Sequence, residues 1–292
     1  MEEGEARVVE AQIRYLLPGA FINRRFVAAG VEYNTGHYAP YPVLVRDGRP
    51  IADQFTLDTH GFTLASHQSG VKDFFNKAEV NEIYPGEVVE AVKALTGATA
   101  VAPGGWMVRT SGEIPKRKVV GYEHRGGVAP PAGEAHIDTE PGRADAYAKA
   151  AYERTFPNGK GYSRFIYSSF WRTFSEPPQD TPLALCDARS VRADEGTPNT
   201  LHIVDEIPSP QEALSDKWDD NAPIAAAIFR FNPAHRWWYF SNMTRDEVLL
   251  VKFHDSDKTC AWRTPHTAFC DPSFPDARPR SSIEMRTVAF FE

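Results

Sequence analysis

Apolar and aromatic residues alternate with polar ones through "RVVEAQIRYLL" and "FINRRFVAAGVEYNTGHYAPYPVLVRD", the two-residue period of strands half-buried against a core. "IADQFTLDTHGFTLASHQS" continues in the same manner. The period then changes in "VKDFFNKAEVNEIYPGEVVEAVKALTGA". Val71, Phe74 and Phe75, then Val88, Val89, Val92 and Leu95, recur at helical spacing, and Pro85 predicts two helices with a break between them. "TAVAPGGWMVRTSG" reads as a strand with a bend, residues 112–133 as a loop, and "YSRFIYSSFWRTF" as a strand. Alanine-rich "RADAYAKAAYERTF" predicts a helix stopped by Pro157 and Gly159. Residues 177–223 are proline-punctuated and loop-rich, with short strands such as "LALCDARSV". "AIFRFNPAHRWWYFS", "EVLLVKFHD", "TCAWRTPHTAFCD" and "SSIEMRTVAFFE" give four further strands. Two strand-rich blocks around a few helices predict a mainly β sandwich or barrel with helical cover, a single domain over residues 1–292.

Composition narrows the function. The 23 prolines and 20 glycines, with 18 phenylalanines, 11 tyrosines and 6 tryptophans, suit a β-rich body with long loops. A net charge of −7 argues against a nucleic-acid partner. The acidic start "MEEGEARVVEAQIRY" has no apolar core and does not read as a secretory signal. No 20-residue apolar span predicts a membrane helix. Cys186, Cys260 and Cys270 have spacings of neither a disulfide framework nor a zinc site, so a reducing, cytoplasmic setting is expected.

The chemistry concentrates in "AHIDTEP". In extended chain, His136 and Asp138 point to one face while Ile137 points to the other. An imidazole and a carboxylate side by side supply two of the three ligands of a 2-His-1-carboxylate iron site, which leaves positions open for co-substrate and dioxygen. Seven other histidines compete with His266 for the third place: His37, His60, His67, His124, His202, His235 and His254. His266 is preferred, because "RTPHTAF" reads as strand and the next strand carries arginine. A 2-oxo acid that chelates metal through its keto end needs a cation for its far carboxylate, and arginine offers a bidentate fork. Arg280 and Arg286 share parity with Ser282 and Glu284. Arg286, central in the last strand, is favoured over Arg280, whose Arg-x-Ser pair with Ser282 also suits the task. "FWRTF" and "HRWWYF" suggest substrate contacts at Arg172, Trp238 and Tyr239, although aromatics alternating on strands more often pack a core. The loops at 36–70, 112–133 and 190–223 are expected at the pocket mouth.

The stretches "AHIDTEPGRADAYAK", "FWRTFSEPPQDTPLALCDARSV", "FNPAHRWWYFSNMTRDEVLLVKFHDSD" and "RTPHTAFCDPSFPDARPRSSIEMRTVAFF" resemble a fungal and bacterial family. It includes gibberellin desaturase, the AsaB-type hydroxylase/desaturases and the CmcJ component of cephamycin methoxylation. The resemblance runs over residues 100–292 and more loosely before them. It implies a cupin-like double-stranded β-helix, or jelly roll, and an Fe(II)/2-oxoglutarate-dependent dioxygenase that hydroxylates, desaturates or cyclises a small secondary metabolite. Fe(II), 2-oxoglutarate and O2 are the implied cofactors. The implied metal ligands fall on His136, Asp138 and His266, and the arginine-bearing end falls on Arg280 and Arg286. Position 254 departs from the family, which commonly has an uncharged residue before that aspartate. Two other readings are weighed: a non-haem iron oxidase that needs no 2-oxoglutarate, and a non-catalytic partner subunit of a two-protein tailoring enzyme. The expected partner is a small molecule, with no membrane; a homodimer stays open.

Overall fold

The computed structural model describes residues 7–19, 22–28, 31–113 and 128–292. Its strands in chain order are β1 (Val8–Leu16), β2 (Arg24–Ala28), β3 (Val31–Asn34), β4 (Tyr38–Asp47), β5 (Phe62–Ser66), β6 (Ala100–Thr110), β7 (Val128–Ala129) and β8 (His136–Ile137). They continue as β9 (Arg164–Thr173), β10 (Leu183–Cys186), β11 (Thr197–Ile203), β12 (Ala225–Ile228), β13 (Trp237–Tyr239), β14 (Glu247–Asp255), β15 (His266–Ala268) and β16 (Ser281–Phe291). The helices are α1 (Leu57–His60), α2 (Lys77–Thr96), α3 (Pro141–Thr155) and α4 (Pro210–Ala213).

Two sheets face each other. One has ten strands in the order β1-β4-β13-β10-β15-β8-β12-β11-β2-β3, and the other has six, β5-β14-β9-β16-β6-β7. In the C-terminal half the chain crosses from β9 in the six-stranded sheet to β10–β13 in the ten-stranded one, then alternates through β14, β15 and β16, as in a double-stranded β-helix. Along β9 the alternation is strict: Phe165, Tyr167 and Trp171 join apolar clusters between the sheets, and Ile166 and Phe170 face α2.

The sheet under α2 explains the one large departure from the helical pattern. A single helix runs through Pro85, not two helices with a break. Val80, Tyr84, Val88 and Val92 recur every fourth residue, and all are buried on that sheet. Burial of this stripe outweighs the hydrogen bond and clearance that an interior proline costs, ~3 kcal/mol. Val71 and Phe74 are buried too, but ahead of the helix. Asn76 caps the helix by accepting from the Glu79 N–H. The bend in β6 is a bulge: Met285 pairs with Trp106 and Thr287 with Pro103, so three steps on β6 match two on β16. Gly104 lies in the bulge, where a Cβ would come within 2.8 Å of the Arg286 carbonyl oxygen. Beyond it, Met107 and Arg109 point between the sheets. The expected strand through "HRWWYF" splits into β12 and β13, and "TCAWRTPHTAFCD" is strand only at His266–Ala268.

Candidate metal centre

His136 and His266 are direct antiparallel partners of β8 and β15, with ring centroids 4.5 Å apart. Asp138 follows just past β8 and brings a carboxylate oxygen to 3.4 Å from His136 Nε2. One donor atom from each of the three side chains lies within 4.8 Å of the others. The backbone sets both tautomers. His136 Nδ1 lies 2.7 Å from the Glu134 carbonyl oxygen, and His266 Nδ1 lies 3.2 Å from that of Thr264. A carbonyl only accepts, so each Nδ1 carries the proton and each Nε2 keeps a lone pair for a metal. The His266 ring also stacks on Phe253, at 5.4 Å and 11°.

The charges match this donor set. Burial works against ionising Asp138, yet Arg286, His136 and His266 hold its carboxyl well below the usual range. Burial and the neighbouring His136 push His266 down to about 3, so it is neutral. At His136 burial opposes protonation, but the hydrogen bond and charge of Asp138 win and raise its pKa. Asp138 Oδ2 is buried and accepts no hydrogen bond. It lies 3.3 Å from Arg286 Nη2, within ion-pair distance but without hydrogen-bond geometry. Two neutral-capable imidazole nitrogens and a carboxylate with an unused oxygen suit a divalent iron.

A cavity opens on each side of this cluster. The smaller, a narrow cavity of about 20 Å³, is lined by His136, His266, Phe253, Trp171 and Arg280. Arg280 is 2% exposed. Its Nη1 donates to the Thr181 carbonyl oxygen (2.7 Å), its guanidinium lies 5.6 Å from the Trp171 ring centroid, and its Nε has no hydrogen-bond partner. No carboxylate forms an ion pair with it among the described residues. Burial, and then Arg109, pull its pKa down to about 9. The buried hydroxyls of Ser169 and Ser282 are likewise unpaired. The larger cavity, about 370 Å³ and partly open to solvent, is lined by Asp138, Arg286, Tyr147, Tyr167, Trp106 and Leu201, among others.

Arg286 therefore sits across the metal cluster from Arg280, paired with Asp138 in the larger cavity. The three proposed substrate contacts lie elsewhere. Arg172 points outward beneath α2. It is fully buried, donates to the carbonyl oxygens of His67 (3.2 Å) and Arg245 (3.0 Å) and to Tyr84 Oη (3.3 Å), and also contacts His67 Nδ1. Trp238 packs edge-on against Phe55, and Tyr239 packs against Phe269; neither lines a cavity at the metal cluster. In "FWRTF" the inward residue is Trp171. Of the expected mouth loops, 190–223 supplies Asn199, Leu201 and Pro223. The 36–70 stretch contributes nothing to either cavity. Residues 114–127, with His124, lie outside the described residues. Sequence reading missed Ser169, Arg109 and Tyr147. Their parity was readable, but the strands they face were not.

A second acidic group, Asp58, Asp255 and Cys260, also brings three donors together. There the buried Lys252 ammonium already stands 2.6 Å from Asp255 and 3.1 Å from Asp58. A lysine fills the place a cation would take.

A family profile described as an oxidoreductase/YMDC permease-like domain matches residues 17–290. Hydroxylase/desaturase efuI of Hormonema carpetanum is 33% identical, over 90% of this chain and 86% of its own. Hydroxylase/desaturase CTB9 of Cercospora beticola is 32% identical, over 87% and 78%. The Fe(II)/2-oxoglutarate-dependent dioxygenase nvfI of Aspergillus novofumigatus is 30% identical, over 87% and 84%. The solved structure of the iron and alpha-ketoglutarate-dependent endoperoxidase NvfI superposes with a TM-score of 0.77 at 26% identity, covering 97% of this chain and 98% of that one.

Proposed function

This chain belongs to the family of Fe(II)/2-oxoglutarate-dependent hydroxylase/desaturases, and from that premise we propose how its two cavities divide the work. His136, Asp138 and His266 hold the iron; the smaller cavity takes 2-oxoglutarate; the larger takes a predominantly apolar secondary metabolite. When bound, iron with 2-oxoglutarate and dioxygen supplies the oxidising power for a C–H bond, with succinate and carbon dioxide as co-products. The outcome on the substrate is hydroxylation, desaturation or ring closure.

The observation that carries this reading is the buried guanidinium of Arg280, which has no carboxylate at ion-pair distance among the described residues, on the histidine side of the cluster. A buried cation without a close ion-pair partner is costly, and the distal carboxylate of 2-oxoglutarate supplies one. The unpaired hydroxyl of Ser169 provides a further donor in the same cavity, and that of Ser282 lies two residues from Arg280. Arg280 is thus assigned the role that the sequence pattern favoured for Arg286. Arg286 instead holds the outer oxygen of Asp138 and presents a cation to the larger cavity. Trp171 and Phe253 wall the smaller cavity and keep water away. Tyr147 and Tyr167, stacked at 4.5 Å, form an aromatic side of the larger one. No helix among the described residues is long and apolar enough to cross a membrane, and three free cysteines suit a reducing cytoplasm.

Anaerobic Fe(II) titration tests the centre: one equivalent binds to the wild type, and H266A loses it. Oxygen uptake and succinate formation with and without 2-oxoglutarate test the co-substrate. Oxygen uptake that is independent of 2-oxoglutarate and forms no succinate points to the oxidase. Absence of a stoichiometric metal site points to the partner-subunit role.

A further inference from the structure

Glu284 is the one residue among those described that lines both cavities. It occupies the inward face of β16 between Ser282 and Arg286, opposite Met107 on β6 and Trp171 on β9. The residue is 8% exposed. Its carboxylate lies 3.6 Å from Arg109 Nη2 and accepts no hydrogen bond from any described group. Its negative charge also reaches Arg280 on one side and Arg286 on the other. A buried carboxylate with one long ion pair and no hydrogen bond is held loosely for its degree of burial.

We propose that Glu284 is the resident counter-ion of the smaller cavity and the movable wall between the two. An incoming dicarboxylate takes over the Arg109 guanidinium, and the released Glu284 carboxylate turns toward Arg286 in the larger cavity. Glu284 is a positioning residue: it acts through the two arginines. The inference rests on assigning the smaller cavity to 2-oxoglutarate.

Two consequences follow from charge alone. Glu284 competes with the co-substrate for one guanidinium, and it repels the entering dianion. Its rotation also changes the wall on which the substrate packs, so co-substrate loading raises substrate affinity, and by linkage the reverse holds.

Isothermal titration calorimetry with glutarate, which has both carboxylates but no keto group, tests this on the metal-free protein. E284Q keeps the shape and removes the charge. It binds glutarate about tenfold more tightly than wild type, as expected for deleting a like charge a few ångströms from the ligand at intermediate dielectric. Affinity in E284Q that is equal to or weaker than wild type overturns the proposal, since a residue that merely orients Arg109 gives that result. R280Q separates the two layers of argument. If R280Q binds glutarate as wild type does, the co-substrate assignment itself fails. If R280Q loses binding while E284Q gains none, only the role of Glu284 falls. A crystal structure of the wild type with glutarate gives an answer that depends on no variant. The Glu284 carboxylate is expected beyond ion-pair distance of Arg109, and a pair still at its present separation refutes the movement.

Discussion

At the scale of single residues, the site depends on which charges are buried without a partner. Arg280 and Arg286 are of one type and one parity, the first just ahead of β16 and the second within it, yet only Arg286 has a carboxylate at ion-pair distance. R280Q is expected to raise the KM for 2-oxoglutarate about 100-fold or more, because a desolvated carboxylate loses its most deeply buried counter-charge. R286Q is expected to change that constant far less and to act on metal binding or substrate. Initial rates at varied 2-oxoglutarate separate the two, and the opposite ranking would return the anchor to Arg286. His254 makes a pH prediction. Its Nε2 accepts from Lys258 Nζ at 2.7 Å, and burial, then Lys258, push its pKa down to about 4. In the unfolded chain it titrates near ~6.5. Between those values the unfolded state binds the extra proton, so stability falls as pH drops from about 6.5 to about 4, by up to ~3 kcal/mol. H254Q keeps an acceptor for Lys258 and removes the titration. Urea midpoints measured across that range should lose most of this slope in the variant.

At the scale of elements, Arg172 joins four parts of the chain. From β9 it reaches the backbone after β5, the turn before β14, and Tyr84 of α2, with the rings of Phe74, Tyr84 and Phe170 each within 5.9 Å of its guanidinium. This clamp also helps to explain why α2 stays docked through Pro85. R172M leaves two carbonyls and a phenol without their donor in the interior, a loss of ~3 kcal/mol or more. Thermal unfolding of R172M should show it, while 2-oxoglutarate affinity of the folded variant stays near wild type. A variant with normal stability and impaired turnover would restore the substrate role suggested by the sequence.

At the scale of the whole molecule, the two sheets hold the metal ligands on one side and the anchoring arginines on the other. His136 and His266 come from the ten-stranded sheet, Glu284 and Arg286 come from the six-stranded one, and Arg280 directly precedes its strand β16. Ligands that tie the two layers together bind the native state and not the unfolded chain, so they raise its stability. Mn(II) at a hundredfold excess over its Kd should raise the melting temperature by about 5 °C. 2-Oxoglutarate should add a further increment that is larger with metal than without, and a chelator should reverse the metal's share. Additive shifts that ignore the metal would argue against a shared centre.

The strand and helix periods were legible in single segments, because side-chain alternation is a local property of the chain. His136 and Asp138 were legible for the same reason: two residues apart in extended chain is one face, whatever surrounds it. Their pairing with His266 could be proposed from residue types, but its geometry comes from β8 and β15 being neighbours, 130 residues apart in sequence. Parity put Arg280, Ser282, Glu284 and Arg286 on one face of β16 without saying which end meets the histidines. It could not show that Arg172 faces a helix while Trp171 faces the cavity. Those distinctions depend on what lies across each face, and only the packing of the two sheets decides that.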